Sequence, residues 1–431
     1  MRGGSCKIAG AAVLLACAAI PQDLAPDVSL LSRIITHLNE ELARTPNYTC
    51  LETISRFRHD PNPGLQFHKG LAKVDTVRLE IVYSDHREWY GSPGARNLSE
   101  DDPTAFIGGG MIGNGAFAMT LHNVLAGGIF TYRGEETIDG RPAVKWDFRV
   151  PGMLKPLKIS ITGGEGTVGE EGSIWVDPRS LDLLRVESHA SEIPPYLPLQ
   201  EDNTIVDYAR MRIGDSDALL AQQADSSMLE DLGIESYNRM EFTHCRAYGA
   251  SSQISFDSKL QESDVAAPTL PATAGAGPAV PAFLEVTVLL RTPVSDNDAV
   301  GKLIEGTISG DVVKKGKVVV PKGSVIHGRI RRLEHYADRK AYGVGLEFTD
   351  VAVRGESLPF YADLLRVDKD PRIEAALTRR IFVPRGNGVH LTEEIIKLPE
   401  LPGVASFFVK GANFTLPVGF RMFWRTRGLI H

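Results

Sequence analysis

The glycine run Gly108-Gly-Gly-Met-Ile-Gly113 spells G-x-G-x-x-G. In a dinucleotide fold such a loop follows a strand and lays a pyrophosphate on the N-terminus of the next helix. Here the polar stretch Ser99 to Thr104 precedes it and no βαβ unit surrounds it. Its expected role is the entry to an inserted helix, and no cofactor is expected. The histidines offer little more: His86 with Glu88, His189 with Glu192 and His327 with His335 come closest to metal spacing. Each supplies two ligands where zinc takes three or four, so no metal is expected. No H-E-x-x-H and no G-x-S-x-G is present, which removes the usual metalloprotease and serine-hydrolase signatures. The carboxylate pairs Asp101-Asp102 and Glu170-Glu171 sit in stretches that read as polar loops. The chain is expected not to be an enzyme.

Two groups of residues point to binding. Trp89, Phe117, Phe130, Trp146, Phe148 and Trp175 are candidates to line an apolar cup, with core packing as the alternative. The stretch His327 to Lys340 is the most basic, and on a strand Arg329 and Arg331 would share one face as a contact for an anionic group. The alternative is the solvated side of a strand. Overall, 47 basic residues against 54 acidic ones give a net charge of −7, so nucleic acid is not an expected partner.

Of four cysteines, Cys6 and Cys17 lie in the N-terminal run. There Arg2 and Lys7 precede an apolar stretch from Ile8 to Ile20 that Pro21 ends, the layout of a secretory signal peptide over residues 1–20. Two readings of its end stand open: Leu14-Leu15-Ala16-Cys17 resembles a bacterial lipobox, which would lipidate Cys17, and Ala16-Cys17-Ala18 also suits ordinary cleavage. An exported chain keeps Cys50 and Cys245, expected as a disulfide in an oxidising compartment, with two buried thiols as the alternative.

The elements that must position these groups are mainly β. The 42 glycines and 26 prolines exceed the usual share and imply many turns between short strands. Val28, Leu31, Ile34, Ile35, Leu38 and Leu42 fall at helical spacing and predict one long helix over 27–44. Alternating strands follow, with Asp139-Gly140 as a hairpin turn and a second turn at Asp177-Pro178. Phe117, Leu121, Val124 and Leu125 predict an inserted helix over 114–126, and residues 215–229 read as a short surface helix or loop. An Ala/Pro/Gly-rich linker over 259–282 separates a first domain, 27–258, from a second, 283–428, in which glycine punctuates short strands as in an all-β barrel.

The opening helix, the hairpin Thr137-Ile-Asp-Gly-Arg141 leading to Trp146 and Phe148, and Ile174-Trp-Val-Asp-Pro178 leading to Leu184-Arg-Val186 together resemble the LolA-like lipoprotein-carrier half-barrels. That resemblance implies a curved sheet cupping an apolar ligand or a lipid-modified partner. In the second domain Gly306 to Asp311, Val318 to Gly328 and Gly345 to Asp350 resemble the β-barrel of TrbI-like scaffold proteins of conjugation and type IV secretion. The internal membrane helix of that family is absent, so the resemblance implies only the barrel and a cell-envelope setting. The resulting expectation is a non-enzymatic envelope protein with a lipid or lipoprotein ligand and envelope partners. A purely structural component and, further off, a secreted hydrolase are the alternatives.

Overall fold

In a computed structural model of the chain, the described residues are 25–59, 70–84, 87–94, 118–154, 157–161, 164–231, 233–248, 279–385, 388–401 and 403–428. The glycine run 108–113, Phe117, His86, Cys17 and nearly all of the linker lie outside them.

The first unit opens with helix α1 (Pro26–Arg44), followed by β1 (Tyr48–His59), β2 (Ala72–Ser84) and β3 (Arg87–Gly91). Helix α2 (Ala118–Gly127) is inserted before β4 (Ile129–Ile138), β5 (Arg141–Val150), β6 (Leu157–Ile161) and β7 (Gly164–Val176). Strands β8 (Leu183–Ser191), β9 (Leu199–Ile213), β10 (Ser216–Glu230) and β11 (Glu235–Ala247) complete it. They form one sheet in the order β3-β2-β1-β11-β10-β9-β8-β7-β5-β4, with β6 beside β7. Every pairing in it is antiparallel. The sheet curls as a half-barrel, and α1 and α2 bury Ile34, Leu38, Leu121, Val124 and Leu125 in the common core.

Local chemistry accounts for much of this. Asp139 and Gly140 both take positive φ, 49° and 77°, the two-residue turn whose twist matches its flanking strands β4 and β5. Asp177 Oδ1 accepts from the backbone N–H of Arg179 and of Ser180, which closes the turn into β8. The disulfide joins Cys50 of β1 to Cys245 of β11 across 195 residues, beside the bulge that interrupts the β1–β11 register.

Residues 215–229 do not form a helix or loop. They are β10, placed between β9 and β11. The Ala- and Gln-rich sequence has helical propensity, but Ala218, Leu220, Ala221 and Ala224 are buried, and hydrogen-bonded neighbours on both sides override that weak local preference.

The second unit comprises β12 (Glu285–Leu290), β13 (Val294–Ser295), β14 (Leu303–Ile308), β15 (Val312–Lys314), β16 (Lys317–Val320), β17 (Val325–Tyr336) and β18 (Ala341–Val353). Then come β19 (Glu356–Pro359), β20 (Ala362–Val367), β21 (Ile373–Glu374), β22 (Ala376–Arg385), β23 (Gly388–Lys397), β24 (Val404–Lys410), β25 (Thr415–Leu416) and β26 (Arg421–Thr426). Its main sheet runs β20-β26-β12-β14-β17-β18-β24-β21, so the last strand returns to pair with the first. Gly323, at φ +85°, turns the chain after Pro321 and before β17. Val280, inside the stretch read as linker, is already packed here at 3% exposure, with its N–H on Pro359 O.

The two sheets are spliced. Val300 exchanges backbone hydrogen bonds of 2.8 Å with Thr76 and Arg78 on the edge of β2, while Gly301 N–H bonds Ile330 O of β17 at 2.8 Å. Gly301 has φ +94°, and a Cβ there would stand 2.5 Å from Arg78 O. A single apolar core runs through both units, from Ile34 and Trp146 to Val344 and Trp424.

Candidate functional site

Register identifies which residues share the inner face of the first sheet. One row reads Val77, Ile54, Met240, Ala224, Val206, Val186, Ile174 and Trp146 across successive strands. All are buried members of the core that takes in α1 and α2. This apolar band is the floor of the half-barrel, and the helices lie on it.

Helix α1 is held at one end by charge. Asp182 Oδ1 is 3.2 Å from His37 Nε2 and 2.6 Å from Arg210 Nη2, and Arg210 Nη1 reaches Glu41 Oε2 at 3.3 Å. Burial would raise the Asp182 carboxyl, but the hydrogen bonds from Arg210 and His37 outweigh it and hold the group below the usual carboxylate range. Helix α2 ends against β4: a Cβ at Gly128 would meet Val124 O at 2.5 Å and the Phe130 ring at 2.8 Å.

The aromatic candidates divide between the two faces. Trp146 and Phe148 lie on the inner face at 2% and 3% exposure, packed with Tyr132 (4.9 Å between centroids) and Phe130 (6.4 Å) respectively. Trp146 Nε1 has no hydrogen-bond partner. Trp175 pairs with Lys145, one residue out of phase with Trp146, and therefore lies on the outer face. There Lys145 Nζ sits 4.6 Å from its ring and its indole N–H bonds Glu136 Oε2. Trp89 alternates with Tyr90 on β3, opposite Val82, and is likewise out of phase with the inner face.

Arg331 is ion-paired with Glu347 at 2.9 Å. Burial lowers the pKa of the neighbouring Arg329 guanidinium, partly offset by Glu347. Among the described residues no group of three His, Cys, Asp or Glu could hold a metal ion. A shallow depression of about 460 Å³ around Val367 to Ile373 lies on the second unit, away from the inner face.

A polar cluster that motif reading misses lies on the inner face beside the apolar band. In β1, Tyr48 and Glu52 are in phase with Ile54. Tyr83 of β2 faces Tyr48, with ring centroids 5.4 Å apart. Glu88 and Tyr90 of β3 share this face through their partners Tyr83 and Ile81, and Tyr208 of β9 shares it with Val206. Glu52 is 1% exposed, and its Oε1 accepts no hydrogen bond. Burial raises the Glu52 pKa well above the usual range, and the nearby Glu88 carboxylate adds to the shift. The Tyr90 hydroxyl donates to Glu88 Oε2 at 2.7 Å, and burial and Glu88 together push the Tyr90 and Tyr208 phenols up. The sequence signal was a glutamate in the inward phase of Tyr48-x-Cys50-x-Glu52-x-Ile54, which is visible only once the phase of β1 is known.

No family model matches the chain, and no curated protein matches it. Among solved structures it is similar to a DUF1329-family protein from Desulfovibrio piger, at TM-score 0.29 and 11% identity, covering 52% of this chain and 94% of that chain. A domain described as outer-membrane lipoprotein-sorting, from Vibrio parahaemolyticus, matches at TM-score 0.28 and 10% identity over 54% and 96% of the two chains. The lipoprotein LppX of Mycobacterium tuberculosis matches at TM-score 0.18 and 9% identity over 49% and 94%. All three are distant likenesses of the fold.

Proposed function

We propose that this chain is a non-enzymatic protein of the bacterial cell envelope that binds an apolar or lipidated ligand on the inner face of its half-barrel. The second unit serves as a scaffold for envelope partners. The observation that carries the reading is the covering of the inner face. A curled sheet with a continuous apolar band buries residues of two helices, α1 and α2, in its core. One of them, α2, is short and bears on aromatic side chains at the β4 edge. A ligand would replace α2 against Trp146, Phe148 and Phe130, so that apolar contact is exchanged rather than newly created. Arg329 and Arg331 would offer anionic partners a contact on the second unit. The signal-peptide layout supports export to the periplasm or, if Cys17 is lipidated, attachment to the outer membrane.

An assembly component without a ligand is the alternative, favoured by the splice at Val300, which ties both units into one body. Native mass spectrometry of gently purified protein separates the two. Co-purified lipid or acyl-bearing species released on denaturation support the carrier reading. A ligand-free protein recovered in stable complex with envelope proteins supports assembly and overturns the carrier reading.

A further inference from the structure

Between β14 and β17 the chain leaves the main sheet of the second unit as a two-stranded hairpin, β15 paired with β16. Val312 and Val320 root it in the core at 4% and 2% exposure, and every residue from Val313 to Val318 is exposed. Lys315 and Gly316 make the tip, with φ of 50° and 76°, and a Cβ on Gly316 would meet no atom within 4 Å. Register sets Val313 opposite Val318 on one side of the ribbon and Lys314 opposite Lys317 on the other, with Lys315 at the turn. Like charges directly opposite each other work against a hairpin, and a ribbon of two strands is marginal by itself. No acidic residue occurs from Val312 to Gly323, and among the described residues none of the three lysines has an ion-pair partner. On a chain of net charge −7 this is a cluster of positive charge that the fold does not use.

We propose that the β15–β16 hairpin is a docking surface for an anionic lipid bilayer. Entering tip first, the ribbon would seat its paired valines at the acyl boundary, while the long lysine stems carry their ammonium groups back to the phosphates. Val313 and Val318, at 48% and 41% exposure, supply the apolar flank for that contact. Lysine is a point charge on a flexible stem and suits a mobile array of head groups, whereas fixed carboxylates on a protein partner are better met by the planar fork of arginine. The hairpin holds three lysines and no arginine. It belongs to the second unit, so this inference goes beyond the carrier reading and does not rest on it.

The test is co-sedimentation of the full chain with vesicles of phosphatidylcholine alone and with vesicles of about one part phosphatidylglycerol to three of phosphatidylcholine. The expected result is preferential binding to the anionic vesicles, weakening as salt shortens the Debye length. Lys314→Gln/Lys315→Gln/Lys317→Gln should lower that affinity on the order of a hundredfold, at about fivefold per lysine. Lys158→Gln/Lys369→Gln/Lys410→Gln removes the same charge from exposed positions elsewhere and should keep the binding. Val313→Ser/Val318→Ser should weaken it by a smaller factor and leave the salt dependence in place. Circular dichroism verifies the fold of each variant. Equal binding to the two kinds of vesicle, binding to neither, or an anionic preference that survives in the triple hairpin variant overturns the proposal. Tight binding of a polyglutamate peptide by a chain that ignores both vesicles also overturns it and assigns the hairpin to an acidic protein. The carrier reading stands in each case.

Discussion

Arg56 and Asp75 meet side by side on β1 and β2 through two hydrogen bonds, Nε to Oδ1 at 2.7 Å and Nη2 to Oδ2 at 2.6 Å, with both side chains nearly sealed from solvent. Burial opposes the Arg56 charge, but Asp75 outweighs it, and Glu334 of the second unit adds to the support. Glu334 in turn lies 3.3 Å from the wholly buried Arg332, whose Nη1 bonds Pro399 O. A line of buried charge thus crosses from one sheet to the other where Val300 splices them.

Removing Asp75 takes from the buried Arg56 guanidinium the partner that offsets most of its burial. Asp75→Ala should destabilise the protein by about 3–5 kcal/mol, whereas the double replacement Arg56→Met/Asp75→Leu should cost clearly less. Urea denaturation of the three proteins measures this, and a double variant as damaged as the single one would contradict the account.

The splice itself depends on Gly301, where φ is +94° and the site of a Cβ is blocked by Arg78 O. Gly301→Ala should cost on the order of 1–3 kcal/mol and loosen the junction. Hydrogen exchange should report it as faster exchange of the Arg78 and Val300 amides. Unchanged protection at both would show that the two sheets do not depend on this contact.

Asp182 makes the clamp on α1 sensitive to acid. Its folded pKa is depressed, so its contribution is fully present above the unfolded carboxylate value of about 3.9 and is lost as pH falls through the folded value. The stability gap between wild type and Asp182→Asn should therefore be widest near neutral pH and should narrow towards pH 3 in thermal melts. A gap that does not vary with pH would rule out the clamp as an ionic device.

The Cys50–Cys245 bridge closes a loop of 195 residues. In the chain-entropy model that is worth about 5 kcal/mol, less any strain. Cys50→Ala/Cys245→Ala should lower the melting temperature by many degrees, and non-reducing peptide mapping of the wild type should recover the joined peptides. Free thiols at both positions would refute the pairing.

Legibility from sequence followed the range of the physics involved. The helix at Ile34 and Leu38, the Asp139-Gly140 and Pro321 to Gly323 turns, and the mainly β character were all readable, because periodicity and turn chemistry act over a few residues. The cysteine pairing was readable from compartment and count. Strand β10 was not, because an Ala- and Gln-rich segment becomes a strand only when β9 and β11 flank it. The division of Trp146 from Trp175 was not, because which face is inward depends on register across the sheet. The Glu52 cluster needed both register and curl, which bring β1, β3 and β9 around one interior. Local patterning alone therefore determined what the segments of this chain are. Only the tertiary structure decided which side chains share a face, because phase and burial are properties of paired strands and not of any single segment.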